Sequence, residues 1–93
     1  GIPYALKDIY DAAGLPTTAH SRVLGPDNIA REDATTTRLL EEAGMVLLGK
    51  LATHEFARGG PTDPLAWPAA KNPWKLDHFA GGSSSGSGTA VAS

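Results

Sequence analysis

The run Met45-Val46-Leu47-Leu48 constrains the fold more than any other stretch of this 93-residue chain. It is apolar at every position, so it reads as a strand buried on both faces. The segment before it carries helix punctuation at both ends. Asp33 is a good N-cap, Leu39, Leu40 and Ala43 fall on one face, and Gly44 stands where a helix C-terminal glycine is expected. A helix that feeds a buried strand indicates an α/β layer fold. A second strand is expected over residues 2–7, with Ile2, Tyr4 and Leu6 on one face and Ala5 and Lys7 on the other. Lys7 then has two readings. It is a solvated strand lysine, the common case, or an amine in a partly desolvated place, where its uncharged form can act as a base.

Composition closes off several function classes. Hydrophobic residues make up 41% and charged residues 19%, the balance of a globular chain. Eight Lys plus Arg against ten Asp plus Glu give a formal charge of −2. That leaves no basic footprint for direct nucleic-acid contact and no polybasic membrane surface. With no cysteine, disulfides, thiolate catalysis and cysteine-ligated zinc are excluded in this stretch. No apolar run approaches the roughly 20 residues that span a bilayer, and no signal peptide is visible. A cytoplasmic protein with no membrane partner is the expectation.

The rest of the chain divides into turns and one long loop. Residues 11–31 contain Gly14, Pro16, Gly25, Pro26 and Asn28, and His20 among them reads as a solvated loop histidine. His54-Glu55-Phe56-Ala57 suggests a short helix. Its His-Glu start resembles a zinc protease motif, but Arg58 stands where the second histidine is required, so no metal site is expected. Residues 59–82 hold four of the seven prolines, both tryptophans and four of the eleven glycines. They read as a long ordered loop, a kind that tends to be functional, with Trp67 and Trp74 packing it against the body.

The stretch Gly81-Gly82-Ser83-Ser84-Ser85-Gly86-Ser87-Gly88 admits three readings. As a flexible linker it has the right composition, yet it runs into Thr89-Ala90-Val91-Ala92, which suits a tightly packed helix. As a phosphate loop, Gly81 and Gly86 have the right spacing, but Ser87-Gly88 follows where Lys and Ser or Thr are needed. The dinucleotide fingerprint fails at Val91. As a catalytic loop, glycines permit unusual backbone conformations and serine hydroxyls can relay protons. That reading lacks only a base, and Lys7 is the candidate.

Several pieces together resemble one family, the amidase signature hydrolases. Gly1-Ile2-Pro3-Tyr4-Ala5-Leu6-Lys7-Asp8 is similar to the family's catalytic-lysine strand, and Gly14-Leu15-Pro16-Thr17-Thr18-Ala19 to the loop after it. Asp33-Ala34, Leu47-Leu48-Gly49-Lys50 and Glu55-Phe56-Ala57 resemble its intermediate landmarks. Asn72-Pro73-Trp74 followed by Gly81-Gly82-Ser83-Ser84-Ser85-Gly86-Ser87 resembles the start of the signature itself. The resemblance implies part of an α/β/α sandwich with a mixed central sheet. It also implies a Ser–cis-Ser–Lys triad that hydrolyses a small-molecule carboxylic amide without a cofactor. By that resemblance Lys7 is the catalytic lysine and Ser83 the bridging serine, with Gly81, Gly82 and Ser84 supporting the loop. The nucleophilic serine is expected in a second Gly-Gly-Ser segment beyond Ser93. Residues 1–93 would then be an interior fragment of a single amidase signature domain, inactive alone. Many members have Thr-Asn after the Gly-Lys, where this chain has Leu51-Ala52. That leaves the substrate subclass open, including the glutaminase-type component of a tRNA-dependent amidotransferase. A reading from another class is a non-catalytic module with a Gly/Ser linker. The resemblance leaves the oligomeric state open.

Overall fold

A computed structural model describes residues 1–60 and 67–93. In chain order the elements are strand β1 (Pro3–Lys7), helix α1 (Thr35–Glu42), strand β2 (Val46–Leu51), a single 3-10 turn (Glu55–Ala57) and helix α2 (Ser85–Ala92). The two strands pair in parallel, which requires a crossover between them, and α1 lies on it. Both strands therefore end at the same edge. Tyr4 pairs with Leu47 but Leu6 with Lys50, so β2 carries one residue more than β1 between those pairs. Gly49, at φ 151°, takes up that irregularity.

Helix α1 ends as the sequence predicts but begins differently. Gly44, at φ 78°, donates its N–H to the Glu41 carbonyl at 2.8 Å, and Met45 donates to Leu40 at 3.1 Å. This is the paired closure a C-terminal glycine allows. Asp33 is not the N-cap. Ala34 holds that position with no side-chain cap, because the Asp33 carboxylate accepts from the Ala13 N–H at 2.7 Å instead. The helix is anchored by Thr37, which is fully buried and donates to the Asp11 carbonyl at 2.7 Å.

Two expectations about burial are corrected. Strand β2 is not buried on both faces: Val46 and Leu48 are exposed, because no described layer covers their side. His20 is not solvated; it is 5% exposed. The loop around it closes on itself through Gly14 to Ala30, Ala30 to Leu15 and Thr17 to Asn28, all at 2.9–3.0 Å. It is tied to the sheet edge by Ala19 N–H to the Asp8 carbonyl at 2.9 Å. Residues 17–21 are thus packed, with Thr17, Thr18, Ala19 and Ser21, and Ala12 before them, buried alongside Leu6 of β1, whereas Val23 and Ile29 of the same loop are exposed.

The long loop expected over 59–82 includes residues 61–66, which lie outside the described residues. Of its tryptophans, Trp67 meets the His20 ring edge-on at 5.8 Å, as packing requires. Trp74 is 85% exposed, and its indole N–H donates to the Ala92 carbonyl at 3.0 Å. Helix α2 starts inside the Gly/Ser stretch, with Ser85 and Gly86 buried in its first turn. Residues 85–88 are therefore helix, not a solvated spacer.

Candidate active site

Lys7 is the last residue of β1 and pairs with Leu51, the last residue of β2. The carboxyl edge of parallel strands is where open α/β sheets place their ligands. Here the lysine meets the far end of the chain. Its Nζ donates to the Ser83 Oγ at 2.5 Å, across 76 residues of sequence. The peptide bond between Gly82 and Ser83 is cis.

The segment just past β2 holds the serine turn. The Ser83 carbonyl accepts from the His54 N–H and from the Thr53 hydroxyl, each at 2.9 Å. Further along the turn, the Gly86 N–H donates to the Ala52 carbonyl at 2.9 Å. This proximity explains Gly86: a Cβ there would lie 2.5 Å from the Ala52 nitrogen, which is backbone and cannot step aside. Gly82 is held as closely, since a Cβ on it would fall 2.1 Å from the His54 ring. Gly81 supplies a different freedom, a backbone at φ 78° in open space. Ser84 is exposed at the N-cap of α2 and makes no side-chain cap bond.

Strand alternation puts Asp8 on the opposite side from Lys7, and there it builds a separate buried cluster. Asp8 Oδ1 pairs with Lys50 Nζ at 2.8 Å, and Asp8 Oδ2 accepts from the Thr18 N–H at 3.1 Å and from the Thr18 hydroxyl. Lys50 also donates to the Pro16 carbonyl and the Thr17 hydroxyl, both at 3.1 Å. A cavity of about 340 Å³ opens beside this pair, lined by Asp8, Thr18, His20, Lys50, Ala52 and Trp67 among others. Among the described residues no group of His, Asp and Glu could hold a metal ion. On β1, burial pushes the Tyr4 phenol above its ordinary value, and Glu41 and Asp33 push it the same way.

Of the residues singled out from sequence, the structure brings Lys7, Ser83 and Gly82 together. Gly81 and Ser84 flank them, with no hydrogen bond to the lysine among the described residues. Sequence reading misses the clamp of Ala52, Thr53 and His54. His54 drops out with the failed zinc motif, and backbone groups such as the Ala52 carbonyl and the His54 N–H leave no compositional trace. It also misses that Gly82-Ser83-Ser84-Ser85-Gly86 has Gly-x-Ser-x-Gly spacing. That pattern marks a nucleophile where a strand runs into the turn, and no described strand does so here.

The family model Amidase matches residues 1–93. The glutamyl-tRNA(Gln) amidotransferase GatA-type protein of Geobacter sulfurreducens is 48% identical over 92 residues, 99% of this chain and 19% of that protein. The crystal structure of its counterpart from Thermotoga maritima superposes with a TM-score of 0.88 at 42% identity, covering 97% of this chain and 20% of that one. The structure of 6-aminohexanoate cyclic dimer hydrolase superposes at 0.89 with 41% identity, over 98% of this chain and 19% of that one. The chain spans about a fifth of the length of the curated relatives it matches.

Proposed function

This chain belongs to the amidase family, and on that footing we propose that it carries the lysine and the bridging serine of a Ser–cis-Ser–Lys amidase. The observation that carries the reading is the 2.5 Å contact between Lys7 Nζ and Ser83 Oγ. In the proposed reaction a serine outside residues 1–93 attacks the carbonyl carbon of a small amide. Its hydroxyl proton passes to Ser83 Oγ as Ser83 gives its own proton to the lone pair of Lys7 Nζ. The tetrahedral intermediate collapses, the C–N bond breaks, and the proton returns through Ser83 to the leaving nitrogen. Water then cleaves the acyl-enzyme along the same path, giving acid plus ammonia or amine. No cofactor enters these steps.

The same proposal treats residues 1–93 as an interior fragment of one amidase signature domain, an α/β/α sandwich with a mixed sheet. The two parallel strands and two helices are its lysine-to-serine part, and the fragment is inactive by itself. In the full-length protein, Lys7→Ala and Ser83→Ala should each lower ammonia release from the preferred amide by about 10²- to 10⁴-fold, the span of a lost acid–base group. Turnover unchanged in either variant excludes the assigned role.

A second reading has support in the relatives named as glutamyl-tRNA(Gln) amidotransferase components, 45–48% identical to this chain. In it the same residues free ammonia from glutamine for a partner protein. Glutaminase activity that appears only with that partner would favour it. Activity on simple amides by the protein alone would favour the amidase. Fast amide hydrogen exchange across residues 81–88 of the intact protein would instead support a non-catalytic module with a Gly/Ser linker.

A further inference from the structure

We infer that His54 is a positioning residue for the Lys7–Ser83 relay: its imidazole edge fills the place that a side chain on residue 82 would take, and so seats the serine turn against the lysine. The inference rests on the amidase reading of the site. His54 is 6% exposed, just past the clamp residue Thr53. Its ring is fixed on several sides. Nδ1 is hydrogen-bonded to the Gly59 carbonyl, and since a carbonyl only accepts, Nδ1 carries the proton. Phe79 stacks on the ring at 5.7 Å with 30° between the planes. The remaining edge faces Gly82. A Cβ built on that glycine would lie 2.1 Å from Cε1 and 2.2 Å from Nε2, so the ring already occupies the space of a methyl group.

One residue therefore holds both halves of the cis peptide. The ring of His54 abuts Gly82, and its backbone N–H donates to the Ser83 carbonyl at 2.9 Å. Nε2 is buried without a hydrogen-bond partner among the described residues. Among the described residues the ring therefore meets Gly82 by its shape and not through a bond from that nitrogen. His54, read from the sequence as half of a failed zinc motif, is thus assigned a steric role. Proton transfer between Ser83 and Lys7 depends on their separation, and a displacement of about 1 Å can lower a rate roughly 10²-fold.

The ring and the missing methyl are mutually exclusive, which supplies the test. In the full-length protein, steady-state hydrolysis is measured on whichever of L-glutamine, propionamide and benzamide the wild type turns over fastest. His54→Ala opens a space under the turn and Gly82→Ala collides with the ring. Each should lower kcat about 10- to 100-fold with KM within about threefold, the pattern of lost positioning. In His54→Ala/Gly82→Ala the added methyl enters the vacated space. Its kcat should stand at least about tenfold above the value expected if the two losses multiplied. Wild-type kcat in His54→Ala, losses that multiply in the double variant, or an effect confined to KM would each overturn the inference. Thermal melts accompany every variant. Rescue of folding together with turnover in the double variant supports the steric fit; loss of folding in both assigns His54 to stability and overturns it. Lys7→Ala is run in parallel. Turnover surviving there defeats the amidase reading, whereas its loss beside an unaffected His54→Ala defeats the His54 inference alone.

Discussion

Lys7 and Lys50 sit near the ends of adjacent parallel strands and do different work. Lys50 forms an ion pair with Asp8 and donates to the Pro16 carbonyl and the Thr17 hydroxyl. Among the described residues Lys7 donates to one hydroxyl, that of Ser83. The first environment ties Lys50 into a buried structural cluster; the second sets Lys7 against the serine turn. Lys50→Met should therefore strand the Asp8 carboxylate and lower stability by about 3–5 kcal/mol, as breaking one half of a buried pair does. Lys50→Met combined with Asp8→Leu should recover much of that loss in urea melts of the full-length protein. Lys7→Met should leave stability within about 1 kcal/mol while abolishing turnover. Sequence alone cannot separate the two lysines, because strand alternation fixes a face but not what stands opposite it.

At the scale of elements, helix α2 carries two glycines with different room around them. Gly86 abuts the backbone of Ala52, so Gly86→Ala should destabilise by about 1–3 kcal/mol through overpacking. The nearest atom to a Cβ on Gly88 is the Ala80 carbonyl at 3.3 Å. Gly88→Ala should cost less than Gly86→Ala, since that carbonyl need yield only a few tenths of an ångström and alanine gains up to about 1 kcal/mol over glycine in a helix. Circular dichroism melts of the two variants decide this. On β1, the Tyr4 hydroxyl is buried with no partner among the described residues, and burial, Glu41 and Asp33 raise its pKa. A folded-state value above the unfolded one means stability is full below the unfolded pKa, about 10, and is lost as pH rises through the folded value. Tyr4→Phe should thus match or exceed the wild-type Tm at neutral pH and lose less stability on the alkaline side.

Across the whole molecule, what is legible in the sequence is local. The α1 terminus at Gly44 can be read because its closing bonds lie within one turn of chain. The strand at residues 2–7 can be read from alternation. The N-cap falls on Ala34 and not Asp33 because Ala13, twenty residues away, recruits the Asp33 carboxylate. His20 departs from the solvated expectation because long-range bonds bury a segment whose composition is that of turns. Strand β2 has the sequence of a doubly covered strand, yet Val46 and Leu48 stand 52% and 72% exposed. That apolar character is in keeping with a chain that spans about a fifth of its relatives' length. Pairing Lys7 with Ser83 comes from family resemblance, since no periodicity links residues 76 positions apart. Whether that pair is one proton path, as proposed, is tested most directly by a double-mutant cycle on kcat in the full-length protein. If Lys7 and Ser83 act as a unit, Lys7→Ala/Ser83→Ala is no slower than the worse of the two single variants. Losses that multiply would mean that the two side chains serve separate steps, and the relay would be contradicted.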